Sequence, residues 1–204
     1  MITLNFLITS LIVVLIPGTG VIYTISTGLT QGKRASIFAS LGCTAGIVPH
    51  LLATILGLSA VMHTSALAFQ ALKYIGVAYL FYLAYATWRN KAAFTVDKIP
   101  SKATAISLVT KAFLLNILNP KLTIFFLAFL PQFISHDVAA PFLQLLTLSG
   151  MFMLMTFVVF VVYGILADAF RTLVIESPSV QSWLRRSFAA AFAGLAVNLA
   201  LSER

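Results

Sequence analysis

The sequence predicts an all-α polytopic membrane protein, with about six transmembrane helices arranged as a 3+3 inverted repeat in which helices one and four are broken. Three observations lead there. The 204 residues are 60% hydrophobic and only 9% charged, with a mean hydropathy of +1.02, whereas a soluble domain carries about 25% charged residues. Six segments approach or exceed the roughly 20 apolar residues that a spanning helix needs. Two of those segments, each the first of its half of the chain, contain a helix-breaking dipeptide, Pro17-Gly18 and Asn119-Pro120.

The first segment is 3–26. Met1 to Ser10 lacks the basic n-region of a cleaved signal peptide, so it reads as the start of a retained span. The second, 36–62, is interrupted by Pro49-His50. The third, 66–87, ends in Tyr79, Phe81, Tyr82, Tyr85 and Trp88, the composition of an interfacial aromatic belt. A charged linker at 90–105, with Pro100, then divides the chain into halves 1–89 and 106–204 of a single transmembrane domain spanning 1–204. The second half holds segments 108–134, 141–167 and 185–201, the last of them short. Three spans per half is an odd number, so the halves insert with opposite orientation.

The charge pattern supports this order. Lys33 and Arg34 separate spans one and two. Arg89, Lys91, Lys98 and Lys102 lie between three and four, with Lys111 just inside span four, and Arg171, Arg185 and Arg186 between five and six. The connections at His63-Thr64 and His136-Asp137 hold no basic residue. Cytoplasmic loops collect Lys and Arg, which places the three basic connections inside and both termini outside. A re-entrant first segment would instead leave five spans and bring the N-terminus inside. The net charge of +8 is therefore a topology signal. No basic run is long enough for a nucleic-acid arm, and the partners expected are the lipid bilayer and a small molecule. Cys43 is the only cysteine, which excludes a disulfide framework, a thiolate metal cluster and a dithiol relay. No metal or cofactor is expected.

The two breaks carry the functional reading. A proline in a helix removes an amide donor and presses on the carbonyl four residues back. In hydrocarbon the freed groups survive only where protein or a wet cavity covers them, and paired breaks in corresponding halves point to a transporter binding site. After Pro17, Gly18 and Thr19 open a half-helix whose free amides suit an anionic group such as an α-carboxylate. The plainer reading is an ordinary kink. At the second break stand Asn116, Asn119, Pro120 and Lys121. A lysine in a helix's first turn opposes the dipole, and mid-span it costs several kcal/mol, so an anion is expected beside it. The plainer reading is snorkelling. His50 is the one mid-span group that titrates near neutral pH, because Asp97, Asp137, Asp168, Glu176 and Glu203 all lie in connections, at span ends or in the tail. It is the candidate for proton coupling, with a neutral histidine bonded to a neighbouring helix as the plainer reading. Lys73 is a further substrate candidate or a snorkelling lysine. Gly28/Gly32 and Gly42/Gly46 have the spacing for close helix contact. Internal packing is the first reading and a homodimer the second, and the pair at 42 and 46 is expected to bring its helix against the first span.

Several blocks together resemble a known family. They are Leu15-Ile16-Pro17-Gly18 followed by Gly28 and Gly32, then Gly42, Gly46 and His50 running into Ala53 and Gly57-Leu58. The run from Leu72-Lys73 to Leu83 follows. Phe113, Asn119-Pro120-Lys121, Phe125-Phe126 and Pro131-Gln132-Phe133 complete the set. In this order the chain resembles the LysE/RhtB family of amino-acid exporters over about residues 12 to 133, and beyond that only in hydropathy. The family usually reads Pro-Gly-Pro at the first break. Thr19 replaces the second proline here, which restores an amide donor, adds a hydroxyl and bears on substrate preference.

The resemblance implies a secondary transporter, and no enzyme, in the bacterial cytoplasmic (inner) membrane. It implies export of amino acids or close analogues driven by the proton-motive force. The half-helix starts after Pro17 and Pro120 are expected to hold the carboxylate with Lys121, Asn116 and Asn119 the amino group or side chain, and His50 the proton. Three alternatives compete. A membrane-embedded enzyme needs a clustered catalytic set, and His50 stands alone. A thiol-electron carrier is at odds with the single cysteine. A non-selective channel for small polar solutes would conduct in a planar bilayer.

Overall fold

The computed structural model describes residues 2–64, 66–89, 103–134, 141–170, 173 and 176–201. Most of the 90–105 linker, the His136-Asp137 connection and the basic residues Lys91, Lys98, Lys102 and Arg171 lie outside the described residues. Among those described, all regular structure is helical. The order is α1 (Leu4–Leu15), α2 (Thr19–Gln31), α3 (Lys33–Ala45), α4 (Val48–Thr64), α5 (Ala66–Arg89), α6 (Ala105–Ile117), α7 (Pro120–Ile124), α8 (Pro141–Ile165), α9 (Ala167–Phe170) and α10 (Pro178–Leu201).

Both expected breaks are present. Thr3 caps α1 by accepting from the Phe6 amide, and the helix ends at Leu15, two residues before Pro17. The chain resumes as α2 at an angle of 55°. Thr104 caps α6 in the same manner, α6 ends at Ile117, and Pro120 starts α7 in the position where a missing amide costs nothing. The second pair bends by 53°. α7 then widens into a π-helical turn at Phe125–Phe129 and tightens into a 3-10 turn at Leu130–Phe133, a change of winding often found at functional sites.

Among the described residues, three unbent stretches are long and apolar enough to cross a membrane: Lys33–Gly57, Pro141–Ile165 and Pro178–Leu201. Counting each bent pair as one span gives five. α5, read from the sequence as a span, is 24 residues long. It carries Gln70, Lys73 and four tyrosines, and it is not one of the five.

Two sequence expectations need correction. The second span is interrupted at Gly46–Ile47 and not at Pro49-His50. The Pro49 ring opposes the carbonyl of Ala45, four residues back, so α3 stops there and Pro49 and His50 fall in the first turn of α4. α3 does lie against α2 of the first span, but the glycines at 42 and 46 do not make that contact. A β-carbon on Gly42 would strike the Val109 carbonyl and Ala112, and one on Gly46 would lie 2.8 Å from the Phe113 carbonyl. Their seam therefore joins α3 to α6. Of the other pair, Gly28 packs against the Gly164 carbonyl, whereas Gly32 sits in the α2–α3 turn at φ +85°, a conformation that favours glycine.

α3 packs against α6, α2 and α8, and α5 along α10. Fully buried Phe6, Phe125, Phe126, Phe129 and Phe152 form the heart of the core. Phe125 and Phe152 stack at 4.4 Å, and Phe126 meets Phe152 edge-on at 5.4 Å. This cluster seats the widened turn beside the second break.

Candidate functional site

The two breaks lie about a hundred residues apart in sequence and meet in space. A β-carbon on Gly18 would stand 3.5 Å from both the Asn119 Nδ2 and the Lys121 Nζ.

Lys121 does not face an anion. Its Nζ donates to the carbonyls of Val13 and Ile16, each at 2.8 Å. These belong to the last turn of α1, where carbonyls lack intrahelical partners and the helix dipole is negative. The ammonium thus gains from the end of another helix what the start of its own denies it. The Tyr163 hydroxyl, from α8, donates to the Leu15 carbonyl at 3.0 Å. Side chains from the second half of the chain therefore finish the first broken helix.

The reverse holds at the second break. Thr19 donates its hydroxyl to the Leu115 carbonyl at 3.4 Å, and His50 Nε2 lies 3.1 Å from the Asn116 carbonyl. A carbonyl can only accept, so Nε2 carries a proton. The other ring nitrogen faces the Thr123 hydroxyl at 3.4 Å. A hydroxyl can either donate to that nitrogen or accept from it, so the contact fits either form of the ring. Its ring stacks over Phe126 at 6.3 Å.

Asn116 and Asn119 hold the backbone together. The Asn116 amide donates to the Cys43 carbonyl at 2.6 Å, and its Oδ1 accepts from Asn119 Nδ2 at 3.2 Å. Asn119 Oδ1 caps α7 by accepting from the Lys121 amide at 3.1 Å. Asn116 is thus tied at both ends of its amide group, while Asn119 keeps one N–H and one lone pair uncommitted by these bonds.

No side chain caps the start of α2, where Gly18 is extended. The first-turn amides of Thr19, Gly20 and Val21 remain as donors. A β-carbon on Gly20 would lie 2.8 Å from Asn116 Oδ1 and 3.2 Å from the Cys43 sulfur, so only glycine admits this close fit. Thr19 and Pro120 are exposed while Asn116, Asn119 and His50 are buried, so the junction is closed on one side and open on the other. It offers amide donors, carbonyl acceptors and one ammonium within a few ångströms, which matches a ligand bearing both signs of charge. Among the described residues no group of His, Cys, Asp and Glu could hold a metal ion.

Of the residues singled out in the sequence, Pro17, Gly18, Thr19, His50, Asn116, Asn119, Pro120 and Lys121 come together here. Lys73 is buried in α5 with its ammonium 5.7 Å from the Tyr74 ring, and the contacts joining the breaks run through other residues. Sequence reasoning passed over Tyr163, Thr123 and the Cys43 carbonyl. A hydroxyl inside an apolar span was the only available signal for the first two, and a backbone carbonyl gives none.

The LysE type translocator family, a family of transporters, matches residues 11–203. An uncharacterized membrane protein of Vibrio cholerae is 33% identical over 203 residues, covering 98% of this chain and 97% of its own. A homoserine/homoserine lactone efflux protein of Salmonella typhimurium is 30% identical over 187 residues, covering 92% and 90%. A leucine efflux protein of Salmonella choleraesuis is 28% identical over 142 residues, covering 67% and 64%. No solved structure matches the chain. These relatives and the apolar helices make it a multi-pass protein of the bacterial inner membrane. The match runs through both halves, including the region where the sequence alone gave only hydropathy, and the protein belongs to the LysE type translocator family.

Proposed function

We propose that this protein is a secondary transporter that exports amino acids or close analogues from the cytoplasm in exchange for protons. The observation that carries the reading is the junction of the two breaks. There the uncapped start of α2 lies beside Lys121 and Asn119, and the carbonyl end of α1 lies next to both. The substrate carboxylate binds the α2 amides next to Lys121, and the spare hydrogen-bonding capacity of Asn119 serves the rest of the molecule. The start of α7 contributes less, because Asn119 already caps it. His50 bridges α4 to both sides of the second break and takes up or releases the proton.

The two bends of 55° and 53° and the packing of α3 on α8 and α5 on α10 support a six-span, 3+3 inverted arrangement. In it 1–89 rocks against 106–204 to give alternating access. The cargos named for two relatives are the first to test. Homoserine, homoserine lactone and leucine share an amino group, while the lactone has no free carboxylate.

The experiment is uptake of labelled leucine and homoserine into everted vesicles, with and without a pH gradient. Accumulation that collapses with the gradient supports antiport. Flux of every solute regardless of gradient would favour a channel and end the reading.

A further inference from the structure

We propose that Lys121 is a tethered stand-in for the substrate's ammonium, and that the exchange of one for the other at the end of α1 couples transport to protons. This rests on the export reading above and deepens it by assigning the coupled proton to Lys121 in place of His50.

The carbonyls of Val13, Leu15 and Ile16 form an acceptor cluster at the negative end of α1. Its occupant is a primary ammonium carrying three donors, two of them used. An amino-acid substrate presents the same group. With its carboxylate on the first-turn amides of α2, across the Pro17-Gly18 break, its ammonium falls on the carbonyls that Lys121 holds here. The substrate's carboxylate is engaged by the α2 amides, and two ammonium groups on the same carbonyls would repel at contact distance. The site holds one cation at a time.

The proton balance follows. When the site faces the cytoplasm, the incoming –NH3+ takes the carbonyls, and Lys121 passes one proton to cytoplasmic water and becomes a neutral amine. When the site faces outward and the substrate leaves, Lys121 regains a proton from the outer water and returns to the carbonyls. Each cycle moves one substrate out and one proton in, with no other reactant. The ionisable groups around Lys121 are His50 on α4, reached through Thr123, and Tyr163 on α8, reached through Leu15. Cys43 on α3 and Tyr23 on α2 lie further along the core, and α1 carries none.

The test uses purified full-length protein in a weakly buffered solution with a pH indicator, followed by proteoliposomes. Leucine or homoserine binding is expected to release one proton per molecule, and homoserine lactone to do the same. The deaminated hydroxy acid of leucine should release none. Lys121→Gln keeps an N–H donor for the carbonyls without the charge. It should bind leucine and exchange it for labelled leucine, release no proton and lose pH-driven accumulation. Affinity in the parent should rise with pH by up to about tenfold per unit, the limit for one competing proton, and K121Q should be flat. Lys121→Arg, a permanent cation, should weaken binding at every pH. The proposal falls if folded K121Q fails to bind leucine, still releases a proton or still accumulates substrate on a pH gradient. It also falls if His50→Gln abolishes proton release while K121Q retains it. A parent protein that neither binds nor exchanges any of these cargos would overturn the export reading itself.

Discussion

The two broken helices use the same device and finish it differently. At the second break Asn119 caps α7 from within, and its partner Asn116 is tied to α3 through the Cys43 carbonyl. Only one N–H and one lone pair of Asn119 are left over there. At the first break Gly18 offers α2 no side-chain cap, and the end of α1 is closed by two side chains from the other half of the chain. One break is therefore a fixed post, and the other is a socket with free donors and a removable occupant. The composition of the dipeptides explains the contrast. Asn-Pro supplies its own cap, and Pro-Gly cannot.

The most severe way to break this comparison is Lys121→Glu. It sets a carboxylate against the carbonyl end of α1 and strips two buried acceptors, each costing about 1–3 kcal/mol when unpaired. Loss of the monodisperse peak on size-exclusion chromatography in detergent is expected, and a protein of unchanged melting temperature would contradict the capping role. Gly18→Asp sharpens the contrast in the opposite direction. A carboxylate there would cap α2, worth about 1 kcal/mol, within reach of Lys121. The melting temperature should rise while transport stops, because the side chain fills the socket. Next comes Asn119→Ala, which removes the internal cap at a cost of about 1 kcal/mol. It should lower the melting temperature and weaken apparent cargo affinity, through the lost Asn119 hydrogen bonds, while the proton released per bound molecule stays the same. Thr19→Val is the mildest. It removes one long hydroxyl contact to Leu115, worth about 0.5–1.5 kcal/mol, and should shift apparent cargo affinity without altering the proton released per molecule.

The sequence allowed the position of both breaks to be read, since a proline's effect on its own helix is local chemistry. It also made Lys121 conspicuous, because a charge is costly in an apolar segment. It did not reveal what Lys121 touches. The lysine's partners are carbonyls of Val13 and Ile16, and backbone groups are the same in every residue type. The same reason hid the seam between α3 and α6, where Gly42 and Gly46 meet the carbonyls of Val109 and Phe113. Spacing showed that those glycines admit a close neighbour and was silent on which one. The interruption at Gly46–Ile47 was misplaced by a turn because Pro49 acts on the residue four positions before it. The π-helical turn at Phe125–Phe129 had no marker, since its winding is set by the stacked Phe125, Phe126 and Phe152 around it.

Cross-capping also constrains how the molecule is born. Lys121 follows Val13 by 108 positions, and Tyr163 follows Leu15 by 148. At a synthesis rate of about 5–20 residues per second, the first helix emerges with bare acceptors and waits on the order of ten seconds for its donors. Until residue 163 leaves the ribosome, the insertion machinery must lend that helix a watery shelter, so the N-terminal half is a dependent of chain not yet made.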